Sequence, residues 1–196
     1  MRFQFTLKRS SMKIHGQSNF SMFANPTVSN KNTMVLYDVF AAFAHEKTLR
    51  NYTLVNGIAY LSDYSYSSSL AANANAKLSV NCLDSESGNL PAVNAIVAAL
   101  NQATAIPSVS EGNNTALSCS SNILYKVTVN GIDFALCAMG ASGFTMHGSD
   151  LDISVEFLES HLDIQLPTAV ATTKGECPIV AKLFQELILQ RPSQPQ

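Results

Sequence analysis

The stretch that decides the fold is residues 123–136, ILYKVTVNGIDFAL. Its centre, Asn130-Gly131, is a strong signal for a two-residue hairpin turn, because both residues tolerate positive φ. Such a turn places the alternating apolar residues of both arms on one face, namely Ile123, Tyr125, Val127, Val129, Ile132, Phe134 and Leu136. Lys126, Thr128 and Asp133 share the opposite face, close enough for a cross-strand ion pair. The stretch therefore predicts a β-hairpin with one buried face.

Further strands are predicted on both sides of this hairpin. Residues 144–158 predict a third strand, in which Leu151, Ile153, Val155 and Phe157 face inward and the alternate residues, mostly acidic, face outward. Residues 52–66 read as one long strand or a bent pair, and residues 77–83 as a short strand.

Three amphipathic helices complete the predicted elements. The first covers residues 33–49, because Leu36, Val39, Phe40, Phe43 and Ala44 fall on one helical face. The second follows a cap at Asn89, with Pro91 in its first turn and an apolar stripe formed by Val93, Ile96, Val97 and Leu100. The third begins near Pro178.

These elements predict a single α+β domain over residues 31–190. About five mainly antiparallel strands and three helices follow the order α-β-β-α-β-β-β-α. Residues 1–30 lack periodicity and predict a flexible basic arm, and residues 191–196 predict a disordered tail. The element order resembles the profilin-like and roadblock-type topologies, which implies an intracellular interaction module with reduced thiols.

The amino-acid composition indicates the number of domains, the compartment and the kinds of partner. The 196 residues are 46% hydrophobic, which suits one domain with its own core. Charged residues are only 13%, and Ser, Thr and Asn replace them, an exchange common in extracellular proteins. The net charge of −2 predicts no general attraction to nucleic acid. The first 50 residues are nevertheless basic and the remainder acidic.

Four cysteines bear on the compartment. No two of them form a C-x-x-C pair, so the spacing is not that of a zinc or thioredoxin-type site. Two disulfides are predicted, preferably Cys82–Cys119 and Cys137–Cys177, and these would indicate a secreted protein. Buried free thiols are the alternative. Residues 1–30 contain no signal-peptide apolar run, and no stretch predicts a membrane span.

Two groups of residues are candidate binding surfaces. Tyr52, Tyr60, Tyr64 and Tyr66 share parity along the predicted strand, and tyrosine combines a large rigid face with a hydroxyl. Packing against the first helix is the alternative for this row.

The second group is His147, Asp150 and Asp152, which lie close together in the sequence. One strand face spaces ligands about 7 Å apart, so no metal or other cofactor is expected there without a second cluster. The acidic face that continues to Asp163 could receive a basic partner or the chain's own basic arm, and an ordinary solvated face is the alternative.

Catalytic signatures are weak. The sequence has no G-x-S-x-G elbow. Cys137 with His147 or His161 could form a Cys–His pair, although a structural role for the cysteine is favoured.

The sequence thus predicts a secreted, disulfide-stabilised, non-catalytic binding or interaction protein whose partner is a protein or a small molecule. The intracellular interaction module and a small hydrolase are the alternatives. Three Asn-x-Ser/Thr sequons, beginning at Asn19, Asn51 and Asn113, are compatible with a glycoprotein, but chance alone gives about this number.

Overall fold

The structure, a computed structural model, describes residues 1–28, 35–65, 77–88, 90–106, 119, 123–160, 162–167 and 177–181. Eleven strands and one α-helix form the main regular elements of these residues. In chain order they are β1 (Arg2–Leu7), β2 (Asn19–Val28), β3 (Val35–His45), β4 (Thr48–Val55), β5 (Ile58–Ser65), β6 (Lys77–Cys82), α1 (Val93–Leu100), β7 (Thr104–Ile106), β8 (Leu124–Val129), β9 (Ile132–Ala138), β10 (Gly143–His147) and β11 (Leu151–Glu156).

The strands form one antiparallel sheet in the order β6-β5-β4-β3-β2-β1-β11-β10-β9-β8-β7. Strands that follow one another in the chain are neighbours in the sheet, with one exception: β6 and β7 lie at its two opposite edges. The sheet therefore consists of two meanders. β1 joins them, because Phe5 pairs with Phe20 of β2 and with Ile153 of β11. The first strand of the chain lies in the middle of the sheet.

The sheet curves around α1. The helix contacts both β3 and β8, although these strands are six positions apart in the sheet. Six strand spacings would span ~29 Å in a flat sheet, whereas a helix with its side chains is only about 10–12 Å across. The sheet must therefore bend, and α1 lies on its concave side.

The concave face carries the hydrophobic core. Alternate side chains of the central strands are almost fully buried there, among them Phe3, Phe5, Met22, Phe43, Met146 and Val155. The rings of Phe5 and Phe20 stack with their centroids 5.1 Å apart. Val93 and Ile96 of α1 belong to the same cluster, so sheet and helix bury one another.

Residues 1–28 belong to this core, and the predicted flexible arm over residues 1–30 is wrong for them. Phe3, Phe5 and Leu7 are buried and alternate with polar residues at the period of a strand. The alternation spans only six residues, and Lys8 and Arg9 follow it directly. The basic composition of the segment therefore resembles that of a flexible arm.

The predicted first helix over residues 33–49 is also wrong. The chain forms β3, turns at Glu46 with a φ of 51°, and returns as β4. Val39, Ala41 and Phe43 are buried at strand spacing. The segment contains so many apolar residues that they fit the helical period as well as the strand period. Pairing with β2 on one side and β4 on the other stabilises the strand.

The fold class is therefore mainly antiparallel β, and the predicted α+β domain with about five strands and three helices is wrong. Residues 52–66, predicted as one long strand or a bent pair, lie in two strands, β4 and β5. The single strand predicted over residues 144–158 is also a pair, and Phe157, predicted to face inward, follows β11 and is 46% exposed. Residues 178–181 are not helical, and the remainder of the third predicted helix lies outside the described residues, as does the tail over residues 191–196. The resemblance to profilin-like and roadblock-type topologies loses its basis, which was the element order. No helix in the described part of the chain is long and apolar enough to cross a membrane.

The hairpin at Asn130-Gly131 is confirmed. The two turn residues have φ of 49° and 80°. The register is the predicted one and joins Val129 to Ile132 and Val127 to Phe134. Hydrogen bonds from Lys126 and Thr128, each 2.6 Å long, lower the pKa of Asp133. The second predicted helix is likewise present as α1, but it begins at Val93 after an N-cap at Ala92, so Pro91 precedes the helix and does not lie in its first turn. The predicted cap Asn89 lies outside the described residues.

Replacing Gly131 with valine is expected to lower the free energy of unfolding by more than about 1 kcal/mol. No atom lies within 4 Å of a Cβ at this position, so the cost comes from the φ of +80°, which a β-branched residue resists. Gly131→Asn is the control, because asparagine tolerates this conformation. Urea unfolding measures both variants, and a valine variant as stable as the wild type would contradict the turn.

The two predicted disulfides are confirmed, but the preferred pairing is wrong. The bonds are Cys82–Cys177 and Cys119–Cys137, with Cα atoms 5.6 and 5.3 Å apart. Cys82 on β6 and Cys137 on β9 lie in opposite halves of the sheet, so each pairs with a cysteine brought to its own half. The segment 177–181 is held beside the β4–β5 turn because the Gly57 carbonyl accepts the N–H groups of both Val180 and Ala181.

Candidate binding groove

The four tyrosines of the candidate surface do not share a face. Tyr52 points toward the concave side and is 1% exposed. Tyr60 and Tyr64 lie on β5 with the opposite orientation, and Tyr60 is buried as well. The turn at Asn56-Gly57 is the reason, because it pairs Val55 with Ile58. Even-numbered residues of β4 and even-numbered residues of β5 therefore point to opposite faces of the sheet. Tyr66 lies outside the described residues.

His147, Asp150 and Asp152 do lie close together, but the chain's own basic residues occupy the carboxylates. Lys8 Nζ is 2.8 Å from Asp152 Oδ1, and Arg9 Nη2 is 2.5 Å from Asp150 Oδ1. His147 Nδ1 lies 3.4 Å from the same Asp152 oxygen. Among the described residues, no three His, Cys, Asp or Glu side chains are grouped to hold a metal ion. The basic residues at and after the end of β1 thus neutralise the start of β11.

The Cys–His pair considered from the sequence is not available as a nucleophile and base. The sulfur of Cys137 is bonded to Cys119, so it carries no thiol. His161, the other histidine considered, lies outside the described residues.

A half-open groove of about 380 Å³ lies on the concave side, between the β1–β2 connection and the residues that lead into α1. It is lined by Leu7, Ser11, Met12, Lys13, Ile14, His15, Pro91 and Leu151. Five of these residues are apolar, three carry polar side chains and none is acidic. This volume and a mainly apolar wall with few polar groups are typical of small-molecule sites.

The β1–β2 connection is shaped by two tight turns. The N–H of Met12 donates to the Arg9 carbonyl at 3.1 Å, which closes a single 3₁₀ turn. Ile14 and Gln17 then pair across a turn in which His15 and Gly16 have φ of 48° and 80°. These values match those at Asn130-Gly131, so the connection is a second, smaller hairpin that brings His15 to the edge of the groove.

His15 is held at this edge by Arg50 and Asp63. Arg50 binds both carboxylate oxygens of Asp63, at 2.5 and 3.0 Å, and its Nη1 lies 2.9 Å from His15 Nδ1. Arginine can only donate, so His15 Nδ1 accepts and the imidazole is neutral. The ring meets Phe43 edge-on with centroids 4.9 Å apart. Burial lowers the pKa of His15, Arg50 lowers it further, and Asp63 offsets part of the change.

Stability is expected to fall as the pH drops below about 6.5, the ordinary pKa of histidine, because the unfolded chain then takes up a proton that folded His15 resists. The contribution is complete above that pH. His15→Asn keeps a side-chain acceptor and tolerates positive φ, so it should lose this part of the pH dependence. Urea unfolding at pH 7.5 and 5.0 compares the two proteins. The same pH dependence in both would contradict the neutral His15.

The opposite wall of the groove is fixed by Asn94, a buried residue of α1. Its side-chain amide accepts the Tyr37 N–H at 2.8 Å and donates to the Tyr37 carbonyl at 3.3 Å, as a neighbouring strand would. The same amide donates to Glu86 Oε1 at 2.8 Å, and the Tyr52 hydroxyl donates to the Glu86 carbonyl. These bonds tie the beginning of α1, and Pro91 before it, to β3 and β4.

Sequence reasoning missed the groove because six of its eight residues lie within the first 15 residues of the chain. One signal was present. His15-Gly16 is a turn dipeptide of the same kind as Asn-Gly, since histidine is enriched at positive φ. Pro91 and Leu151 join the groove only through the fold, and no local pattern connects them to it.

Comparisons of the chain with protein-family models, with curated proteins and with solved structures find no match.

Proposed function

We propose that the chain is a secreted, disulfide-stabilised and non-catalytic binding protein that holds a small, largely apolar ligand in the groove on its concave side. The observation that carries the proposal is the groove itself, with five apolar and three polar residues around about 380 Å³. Apolar walls favour a ligand because apolar surface leaves water on binding, while a few polar groups fix its orientation.

Preorganisation supports a binding role. Both walls of the groove are held by hydrogen bonds within the chain, through the turns of residues 9–17 on one side and Asn94 on the other. A site that is already ordered does not lose further chain entropy when a ligand enters. The groove is therefore suited to recognition without folding upon binding.

The disulfides support the extracellular part of the proposal. All four cysteines are paired, and structural disulfides persist in oxidising compartments. The low content of charged residues, 13% of the chain, agrees with such an environment.

The uncharged dye Nile red tests the proposed site. The wild-type protein is expected to bind it saturably at one site, with a blue-shifted emission. Met12→Lys places a charge in the apolar wall and should weaken binding by at least about tenfold. Met139→Lys makes the same change at a turn residue that is 36% exposed, and it should leave binding unchanged. No saturable binding to the wild type, or equal weakening by both substitutions, would contradict the proposal.

A further inference from the structure

The charges around the groove are uneven. Lys13 is exposed in the lining, and the ion pairs of the described residues leave it without an acidic partner. No carboxylate stands in the lining to neutralise it. The groove therefore presents an apolar wall with one uncompensated positive charge at its opening.

The basic residues next to the lining are paired with carboxylates of the chain. Lys8 and Arg9 are paired with Asp152 and Asp150, which lie beside Leu151. Arg50, behind His15, is paired with Asp63 through two hydrogen bonds. Each of these pairs is close to neutral as a unit, so Lys13 carries the one unpaired charge among the residues that line the groove.

A second donor comes from the protonation state of His15. Because its Nδ1 accepts from Arg50, the neutral ring carries its proton on Nε2. That N–H is a hydrogen-bond donor on a residue that lines the groove. Ser11 adds a hydroxyl to the same lining. The polar part of the groove thus consists of donors, one of them charged, which is the chemistry that recognises an anion.

We infer that the ligand is an amphipathic anion, with a carboxylate head at Lys13 and His15 and an apolar chain along Leu7, Ile14 and Leu151. This inference rests on the proposed function and names the ligand class for the same groove. A cationic ligand of the same shape would meet the charge of Lys13, and no residue of the lining carries a carboxylate that could pair with it. An uncharged ligand of the same shape would offer the ammonium group of Lys13 no opposite charge.

Three ligands with the same ten-carbon chain test the head group: decanoate, decan-1-ol and decyltrimethylammonium, each measured by displacement of Nile red. Decanoate is expected to bind most tightly and the ammonium compound least. Lys13→Gln should weaken decanoate by about three- to fivefold, as befits an exposed charge, and leave decan-1-ol unchanged. Lys47→Gln, an exposed lysine in the β3–β4 turn, should change neither affinity.

The outcomes separate the inference from the proposed function. Equal affinities of decanoate and decan-1-ol for the wild type would overturn the anionic head group and leave the apolar groove standing. So would equal weakening of both ligands by Lys13→Gln. If Nile red does not bind, or none of the three compounds displaces it, the binding groove itself is overturned together with the inference. Circular dichroism establishes that the variants retain the fold.

Discussion

Replacing Phe5 with alanine is expected to lower the free energy of unfolding by about 3–5 kcal/mol. Phe5 is 0% exposed, and it lies on β1, the strand that joins the two meanders of the sheet. Its ring stacks on Phe20 at 5.1 Å and lies 6.4 Å from Phe3. Truncation leaves a cavity among large side chains that cannot easily close it. Denaturant unfolding followed by circular dichroism measures the loss.

Phe157→Ala is the matched control for this substitution. Phe157 follows β11 directly, is 46% exposed and makes one edge contact, with Phe144. Its loss should cost less than about 1.5 kcal/mol. If both alanine variants were equally stable, residues 1–28 would not belong to the core, and the arrangement of the whole sheet would be in doubt.

Removing the Cys82–Cys177 disulfide by a double alanine substitution is expected to cost about 4.7 kcal/mol in the chain-entropy model. The two cysteines are 95 residues apart, so their bond restricts most of the second half of the unfolded chain. The bond also fastens residues 177–181 beside the β4–β5 turn, where Gly57 accepts two hydrogen bonds. Thermal and urea unfolding of the variant measure the loss.

The second disulfide supplies the internal comparison. Cys119 and Cys137 are 18 residues apart, and removing their bond should cost about 3 kcal/mol. Mapping the disulfides by mass spectrometry under non-reducing conditions should identify the same two pairs. A larger loss from the shorter loop, or the pairs Cys82–Cys119 and Cys137–Cys177, would contradict the assignment.

Local turn chemistry carried the successful part of the sequence analysis. Asn130-Gly131 predicts its hairpin because the turn needs positive φ at both residues and the flanking apolar residues agree in register. The same dipeptide occurs at Asn56-Gly57, where φ is 53° and 80°. There the apolar pattern of residues 52–66 continues through the turn, so the sequence leaves open whether the segment is one long strand or a bent pair. Both Asn-Gly dipeptides are local turn signals, but the continuous apolar pattern around Asn56-Gly57 makes the second turn harder to recognise.

Long-range pairing decides the elements that were predicted wrongly. Residues 35–45 are apolar at both helical and strand spacing, and only the neighbouring strands select the strand. β1 has six residues and three buried side chains, and its partner β11 is about 150 residues away in the chain. Contacts between residues so far apart in the chain cannot be predicted from the local apolar pattern, because the partner strand is not part of the segment that shows the pattern.

The position of the candidate site could not be predicted from the sequence. The lack of catalytic motifs favours a binding role, which stays a prediction. The tyrosine row is not a common surface, because β4 and β5 are separate strands whose tyrosines face opposite sides of the sheet. The acidic residues near His147 turned out to face the chain's own Lys8 and Arg9, which is one of the two ionic partners that the sequence allowed. The groove itself depends on the position of α1 against the β1–β2 connection, and no local pattern encodes that position.

The binding groove is tested most directly by fluorescence, because the chain contains no tryptophan. Met12→Trp places the single tryptophan in the groove wall, and Met139→Trp places it in an exposed turn as the control. Titration with decanoate is predicted to give a saturable blue shift in the Met12→Trp emission and none in that of Met139→Trp. An unchanged Met12→Trp emission, or the same change in both variants, would contradict a ligand site in this groove.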